Sequence, residues 1–273
     1  MNEAELLFSE ILNCDRMSLY LNKGSHLEKD KSFLISSVLK RRISGEPIQY
    51  ILGKAEFMGL EFRVNPDVLI PRPETEILVE TAIGQVTPSL SLGTPFGRTS
   101  QSHNVTMLEI GTGSGCIAIS LAKLLSHARI TATDISRAAL EVAGRNAELN
   151  KVKINFIESD LFAHHNLAAD YYDLILSNPP YIPTAELKNL QPEVSYEPTI
   201  ALDGGEDGLD FYGRIISGSA PYLKKGGFLI MEIGIGQKGA LENIFQRYEG
   251  FKIAEFIKDY NGIYRIAVAR KVK

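Results

Sequence analysis

The sequence predicts an α/β protein built on a mostly parallel sheet, with a small helical region and a β-hairpin ahead of it. Three observations lead there. From residue 105 onward, apolar runs of strand character alternate with segments of helical period, the pattern of parallel strands joined by helical crossovers. A glycine-rich turn, Gly111-Thr112-Gly113-Ser114-Gly115, joins the first strand of that series to its helix. The first fifty or so residues carry helical spacing alone.

The elements follow in order. Leu6, Leu7, Ile11 and Leu12, then Phe33, Leu34, Val38, Leu39 and Ile43, recur at helical spacing. Breaks at Lys23-Gly24-Ser25 and Ser44-Gly45-Glu46-Pro47 divide them into short helices, giving a helical domain over 1–54. The basic triplet Lys40-Arg41-Arg42 reads as the solvated end of such a helix, favoured by its dipole. From Phe57 the period becomes two: Leu60, Phe62 and Val64 alternate with Glu61 and Arg63, and Gly59 sits at the bend. This is a linking β-hairpin within 55–72. Ile70-Pro71-Arg72-Pro73-Glu74-Thr75-Glu76 is a rigid turn feeding a helix, with proline in the first turn and glutamates matched to the dipole.

The remaining domain, 73–273, carries the sheet. Within it, 12 of the 21 residues at 84–104 are Gly, Pro, Ser or Thr and Arg98 is the only formal charge, so a flexible loop is expected there. Strands are expected at 105–110, 129–133, 153–157, 173–177 and 228–233, with helices at 116–125, 137–149, 209–223 and 238–248. Two closing strands, 252–257 and 264–269, are joined by Asp259-Tyr260-Asn261-Gly262, a hairpin signal that adds an antiparallel edge.

Composition narrows the function classes. The chain has 273 residues with a net charge of −4, which counts against a broad nucleic-acid-binding face. Cys14 and Cys116 lie far apart and form no metal-ligand pattern, so a reducing, cytoplasmic location without zinc chemistry is expected. The N-terminus is acidic, unlike a targeting segment, and no apolar run approaches the ~20 residues that span a bilayer.

The strand ends carry the chemistry. In Gly111-Thr112-Gly113-Ser114-Gly115 the third glycine of a dinucleotide fingerprint is replaced by Cys116, which moves weight from NAD to a nucleoside without a pyrophosphate. Asp134 ends the next strand and can accept from both ribose hydroxyls. Asp160 ends the one after and can accept from an adenine amino group, with Leu161 or Phe162 covering the ring. Each feature alone is matched by an ordinary turn or helix cap; three on consecutive strand ends favour a ligand. Glu109 is expected to brace the glycine loop. At the fourth strand end, Asn178-Pro179-Pro180-Tyr181 presents an amide oxygen, carbonyls on a rigid di-proline and an aromatic face, an acceptor-rich site for a planar –NH₂ group.

Asn-Pro-Pro-Tyr after a Gly-x-Gly-x-Gly loop resembles the S-adenosyl-L-methionine-dependent methyltransferases that act on planar nitrogens. With 70–76, Glu197-Pro198, 201–205 and Glu232-Ile233-Gly234, the chain is similar over nearly its whole length to the release factor glutamine methyltransferases (the HemK/PrmC family). The resemblance implies a Rossmann-like, seven-stranded sheet holding S-adenosyl-L-methionine, and methylation of the glutamine amide in the Gly-Gly-Gln motif of peptide chain release factors. It assigns Gly111, Thr112, Gly113, Ser114, Gly115, Asp134, Asp160, Leu161 and Asn178 to the cofactor. Asn178, Pro179, Pro180 and Tyr181 fall to the substrate, with Asn178, Pro179 and Tyr181 in catalysis. The N-terminal helices would help grip the protein substrate. Arg72 and Thr75 belong either to the cofactor mouth or to a structural turn.

An amide nitrogen is a poor nucleophile, and acceptors that hold its hydrogens match the positive charge that grows on it during transfer. No strong general base is needed. Two rivals share this chemistry: a nucleic-acid amino-group methyltransferase, which would want a basic groove and stacking aromatics, and a ribosomal-protein glutamine methyltransferase. A non-catalytic cofactor-binding scaffold would lack the acceptor platform. No membrane or direct nucleic-acid partner is expected.

Overall fold

The computed structural model describes residues 3–21, 29–87 and 104–273. Four helices open the chain: α1 (Glu3–Leu12), α2 (Arg16–Leu21), α3 (Lys29–Ile43) and α4 (Ile48–Leu52). The break expected at Lys23-Gly24-Ser25 lies outside the described residues. Strands β1 (Lys54–Phe57) and β2 (Leu60–Arg63) then pair antiparallel, with Phe57 opposite Leu60 across the turn at Gly59.

Helix α5 (Pro73–Val86) starts with Pro73 in its first turn, as the sequence implies. It runs further than the composition of 84–104 suggests. Gly84 sits inside it because Ile83 and Val86 are half-buried against the core and hold the last turn down. The rest of the expected loop, 88–103, lies outside the described residues.

The large sheet holds β3 (Thr106–Ile110), β4 (Arg129–Asp134), β5 (Asn155–Glu158), β6 (Tyr172–Ser177), β7 (Leu223–Glu232), β8 (Phe251–Lys258) and β9 (Tyr264–Lys271). Their spatial order is β5-β4-β3-β6-β7-β9-β8. The first five strands in that order are parallel, and β9 inserts antiparallel between β7 and β8. Four helices connect them: α6 (Cys116–Leu124), α7 (Arg137–Leu149), α8 (Asp210–Ser219) and α9 (Lys238–Gln246). Helix α8 stops short of the expected 223 because Pro221 lies in its path and cannot donate to the ladder. Strand β7 begins early, with Gly226 at φ +81° in an irregular stretch of its pairing with β6.

Alternation along the strands loads both faces of the sheet. Met107, Leu174, Leu176 and Ile230 pack with Leu78 and Val79 of α5 and Ile117 and Leu121 of α6. Leu108, Ile175, Leu229 and Met231 face Tyr212 and Ile215 of α8 and Leu241 of α9. A third cluster joins the early chain to the sheet: Tyr50 of α4, Val64, Val68 and Ile70 pack with Ala139 and Val142 of α7. Strand order reverses between β3 and β6, so their carboxyl ends diverge and leave a crevice, where open α/β sheets bind ligands.

Candidate active site

The crevice is a cleft of about 1160 Å³, counting its open mouth. Gly111, Thr112, Gly113, Ser114, Asp134, Asp160, Leu161, Asn178, Pro179 and Pro180 all line it. Four strand ends thus bring these residues to one cavity. Arg72 and Thr75 line it too, from the turn into α5.

The glycine loop is tied down by its neighbours. The N–H groups of Gly111 and Thr112 both donate to Thr133 O, at 2.8 and 2.9 Å, and Gly113 N–H donates to Asp134 Oδ2 at 2.8 Å. Gly115 has φ +82°, and a Cβ there would stand 2.9 Å from Ile119 Cδ1 and 3.1 Å from Ala143 Cβ; only glycine lets the loop lie this close to α6 and α7. Gly115 itself is absent from the residues lining the cleft, so it shapes the loop from behind.

Glu109 braces the loop as expected. It is fully buried, and its Oε2 accepts from Thr112 Oγ1 at 2.7 Å and Ala118 N–H at 3.1 Å. Its Oε1 has no hydrogen-bond partner among the described residues, and burial pushes its pKa up to about 8.

Asp134 keeps accepting capacity toward the cleft. Oδ1 takes Ser136 N–H at 2.9 Å and Oδ2 takes Gly113 N–H, leaving a further lone pair on each oxygen. Burial raises its pKa, opposed by the backbone donors of Ser136 and Gly113. Ser136, rather than either aspartate, caps α7 by accepting from Ala139 N–H at 3.2 Å.

At the next strand end, Leu161 takes φ +50° and lines the cleft, while Phe162 stacks on Tyr222 at 5.1 Å and is not among the lining residues. Of the two candidates for covering a ring, Leu161 therefore faces the cavity. Asp160 receives Arg214 Nη2 at 2.7 and 2.8 Å on its two oxygens, and Arg214 also lies over the Phe211 ring at 5.5 Å. Sequence reasoning missed this arginine and phenylalanine. Both come from α8, and Arg214 is 54 residues away from its partner.

The platform at the fourth strand end is held from several sides. Asn178 Nδ2 donates to Thr75 Oγ1 at 3.2 Å, and Thr75 Oγ1 donates to Glu232 Oε2 at 2.7 Å. Among the described residues no donor reaches Asn178 Oδ1 or the Pro179 carbonyl. Tyr181 is not among the lining residues; its hydroxyl turns to Glu232 Oε1, 3.4 Å away, and its carbonyl accepts from Gln237 Nε2 at 3.0 Å. Burial and the adjacent Glu232 push the Tyr181 pKa upward, so it stays a donor. Burial likewise pushes Glu232 to about 7, against the Thr75 hydroxyl and the Arg265 charge. Gly204 backs the platform at close range: a Cβ there would meet Tyr181 Cα at 2.8 Å.

Arg72 pairs with the buried Glu197, whose Oε2 also accepts from Ile70 N–H at 3.0 Å. That carboxylate pins the 70–76 turn to the segment 184–201, which winds through three short 3-10 turns between the platform and α8. The same segment meets the N-terminal helices, where Tyr196 OH donates to Ser44 O at 3.1 Å and Glu193 pairs with Arg42. Asn146, buried on α7, ties the hairpin to the glycine loop by accepting from Arg63 N–H at 2.7 Å and donating to Ser114 O at 2.9 Å.

Residues 97–191 match the family model described as the methyltransferase small domain, and residues 1–53 match the PrmC N-terminal domain. A release factor glutamine methyltransferase of Geobacter sulfurreducens is 44% identical over 269 residues, 98% of this chain and 88% of that protein. The chain belongs to the release factor glutamine methyltransferase family. A second member, from Thermodesulfovibrio yellowstonii, is 38% identical across 100% of this chain and 93% of its own length. The fold recurs in a methyltransferase from Pyrococcus furiosus, with a TM-score of 0.55 at 20% identity over 86% of this chain and 98% of that one.

Proposed function

We propose that this protein uses S-adenosyl-L-methionine to methylate the side-chain amide nitrogen of the glutamine in the Gly-Gly-Gln motif of peptide chain release factors. One observation carries the reading. Asn178 and Pro179 line the same cleft as the glycine loop, and among the described residues no donor reaches Asn178 Oδ1 or the Pro179 carbonyl.

The residues fit the cofactor. A Cβ at Gly111 or Gly113 would meet nothing within 4 Å, so the loop leaves room for a ligand to lie against backbone. Asp134 has lone pairs for two ribose hydroxyls, and Leu161, Ile135 and Phe211 offer apolar surface to a base. Asp160 accepts from an adenine amino group with the lone pairs Arg214 leaves free. When bound, S-adenosyl-L-methionine supplies an electrophilic methyl on a sulfonium centre.

The chain's own work is orientation. Asn178 Oδ1 and Pro179 O take the two hydrogens of the substrate –NH₂ and fix the direction of the nitrogen. Those acceptors are better matched to the nitrogen as it gains positive charge than to the neutral amide, which lowers the barrier. Pro180 stiffens the backbone that holds them. Tyr181 acts from behind the platform through Glu232.

Residues 1–54 are the region that grips the protein substrate. Phe33 and Ile43, 79% and 85% exposed on α3, are apolar side chains available to a partner. We propose the cytoplasm as its location, in keeping with a role in translation termination. Among the described residues no helix is long and apolar enough to cross a membrane. The test is a panel of acceptors. Incubated with radiolabelled S-adenosyl-L-methionine, the protein should label release factors and leave ribosomal proteins, DNA and RNA unlabelled. Label on nucleic acid alone would overturn the reading.

A further inference from the structure

The buried hydrogen bonds behind the platform have a fixed direction. Glu232, the last residue of β7, and Thr75, in the first turn of α5, are each 2% exposed. A threonine hydroxyl has one proton. Here it is donated to Glu232 Oε2 at 2.7 Å, so toward Asn178 the oxygen can only accept. The group of Asn178 that meets it must be the amide –NH₂, and Nδ2 does so at 3.2 Å. The carbonyl end of the same amide is thereby turned away from Thr75, as an acceptor for the cleft.

We infer that Thr75 and Glu232 are positioning residues: the carboxyl group of Glu232 orients the Thr75 hydroxyl, which locks the Asn178 amide with Oδ1 presented to the substrate. The inference rests on the reading of Asn178 as the substrate acceptor. Without the lock, the amide can rotate by half a turn. It would then offer –NH₂ to a substrate –NH₂, two donors facing each other, which is repulsive rather than neutral. Oε2 accepts from Thr75 when Glu232 is ionised, and Oε1, the oxygen facing Tyr181, is the one left free of the Thr75 hydroxyl. Neither residue is required to touch the substrate.

The experiment compares Thr75→Val, Thr75→Ser and Glu232→Gln with wild type and with Asn178→Ala in the full-length protein. Steady-state methylation of a release factor is measured beside calorimetric S-adenosyl-L-methionine binding and thermal melting. Valine preserves shape and removes the hydroxyl. Its kcat should fall by about tenfold or more, the scale of one lost orienting hydrogen bond, while cofactor affinity and melting temperature stay near wild type. Thr75→Ser, which restores the hydroxyl, should recover most of the loss. Glu232→Gln puts an amide that can turn either end to Thr75 in place of a carboxyl group that accepts, so its kcat should fall part-way toward that of Thr75→Val; wild-type turnover would show that the carboxyl group does not orient the hydroxyl. In side-chain amide NMR, the Asn178 –NH₂ resonances should shift in Thr75→Val and return in Thr75→Ser.

Full turnover by Thr75→Val, with Asn178→Ala impaired, would overturn the lock and spare the acceptor role. Full turnover by Asn178→Ala would overturn the acceptor role itself. If Thr75→Val melts early and Thr75→Ser melts normally but remains equally slow, the hydroxyl does not orient Asn178 and the inference falls.

Discussion

Replacing Glu109 by Gln should stabilise the protein as pH rises and change little in acid. The carboxyl group is fully buried behind the glycine loop, with Oε2 taking two donors and Oε1 none among the described residues. Burial pushes its pKa from an ordinary 4.5 to about 8, so between these values the native state holds a proton that the unfolded chain has released. More protons bound in the native state means that stability falls with rising pH. The contribution is complete below the unfolded value and is lost as pH climbs through about 8. At about 1.4 kcal/mol per pH unit, the interval from pH 5 to pH 8 costs the wild type roughly 4 kcal/mol from this group. Asp134 and Glu232, also raised by burial, add slopes of the same sign that the variant retains. Glutamine keeps a carbonyl for Thr112 and Ala118 and does not ionise, so it removes only the Glu109 share. Urea unfolding of both proteins at pH 5 and pH 8 measures the difference. The variant's advantage should grow by a few kcal/mol across that interval. Parallel pH profiles would refute the reasoning and make Glu109 an ionised group in the folded protein.

Other variants test other walls of the cleft. Asp134→Ala should weaken S-adenosyl-L-methionine binding by about tenfold or more through lost ribose contacts and a freed Gly113, and unchanged affinity in calorimetry would remove Asp134 from the ribose site. Arg214→Ala breaks a half-exposed pair, so stability should move by less than ~1 kcal/mol while cofactor affinity falls; equal affinity would put the Arg214–Asp160 pair outside the base site. Gly115→Ala introduces a Cβ against Ile119 and Ala143 at a left-handed φ, and should cost about 1–3 kcal/mol in a denaturant titration. A variant as stable as wild type would mean that the loop relaxes away from α7.

The parts of the site that lie within a few residues of one another were legible in the sequence. The glycine loop, Asp134, Asp160-Leu161 and the Asn178 platform each sit at a strand end, and an α/β pattern brings strand ends together. What stayed hidden depends on distant pairs. Thr75 and Glu232 are 157 residues apart, Ile70 and Glu197 are 127 apart, and Arg63 and Asn146 are 83 apart. Their signal was a polar residue where burial is expected, as with Glu232 ending the apolar run Phe228-Leu229-Ile230-Met231. Such a residue announces a partner without naming it. Tyr181 marks a second limit: its motif pointed toward the substrate, whereas its hydroxyl turns toward Glu232. Element ends slipped for local reasons, Pro221 ending α8 early and half-buried Val86 extending α5.

The central claim is that Asn178 and Pro179 hold a release-factor glutamine amide for methylation in this cleft. The most direct measurement is peptide mass mapping of a release factor after reaction with S-adenosyl-L-methionine and either wild-type protein or Asn178→Ala. One added methyl on the glutamine of Gly-Gly-Gln is expected with wild type. The variant should bind the cofactor normally and transfer at least about a hundred-fold more slowly, the scale for deleting a preorganised polar group. A methyl on any other residue, or near-normal transfer by Asn178→Ala, would contradict the account.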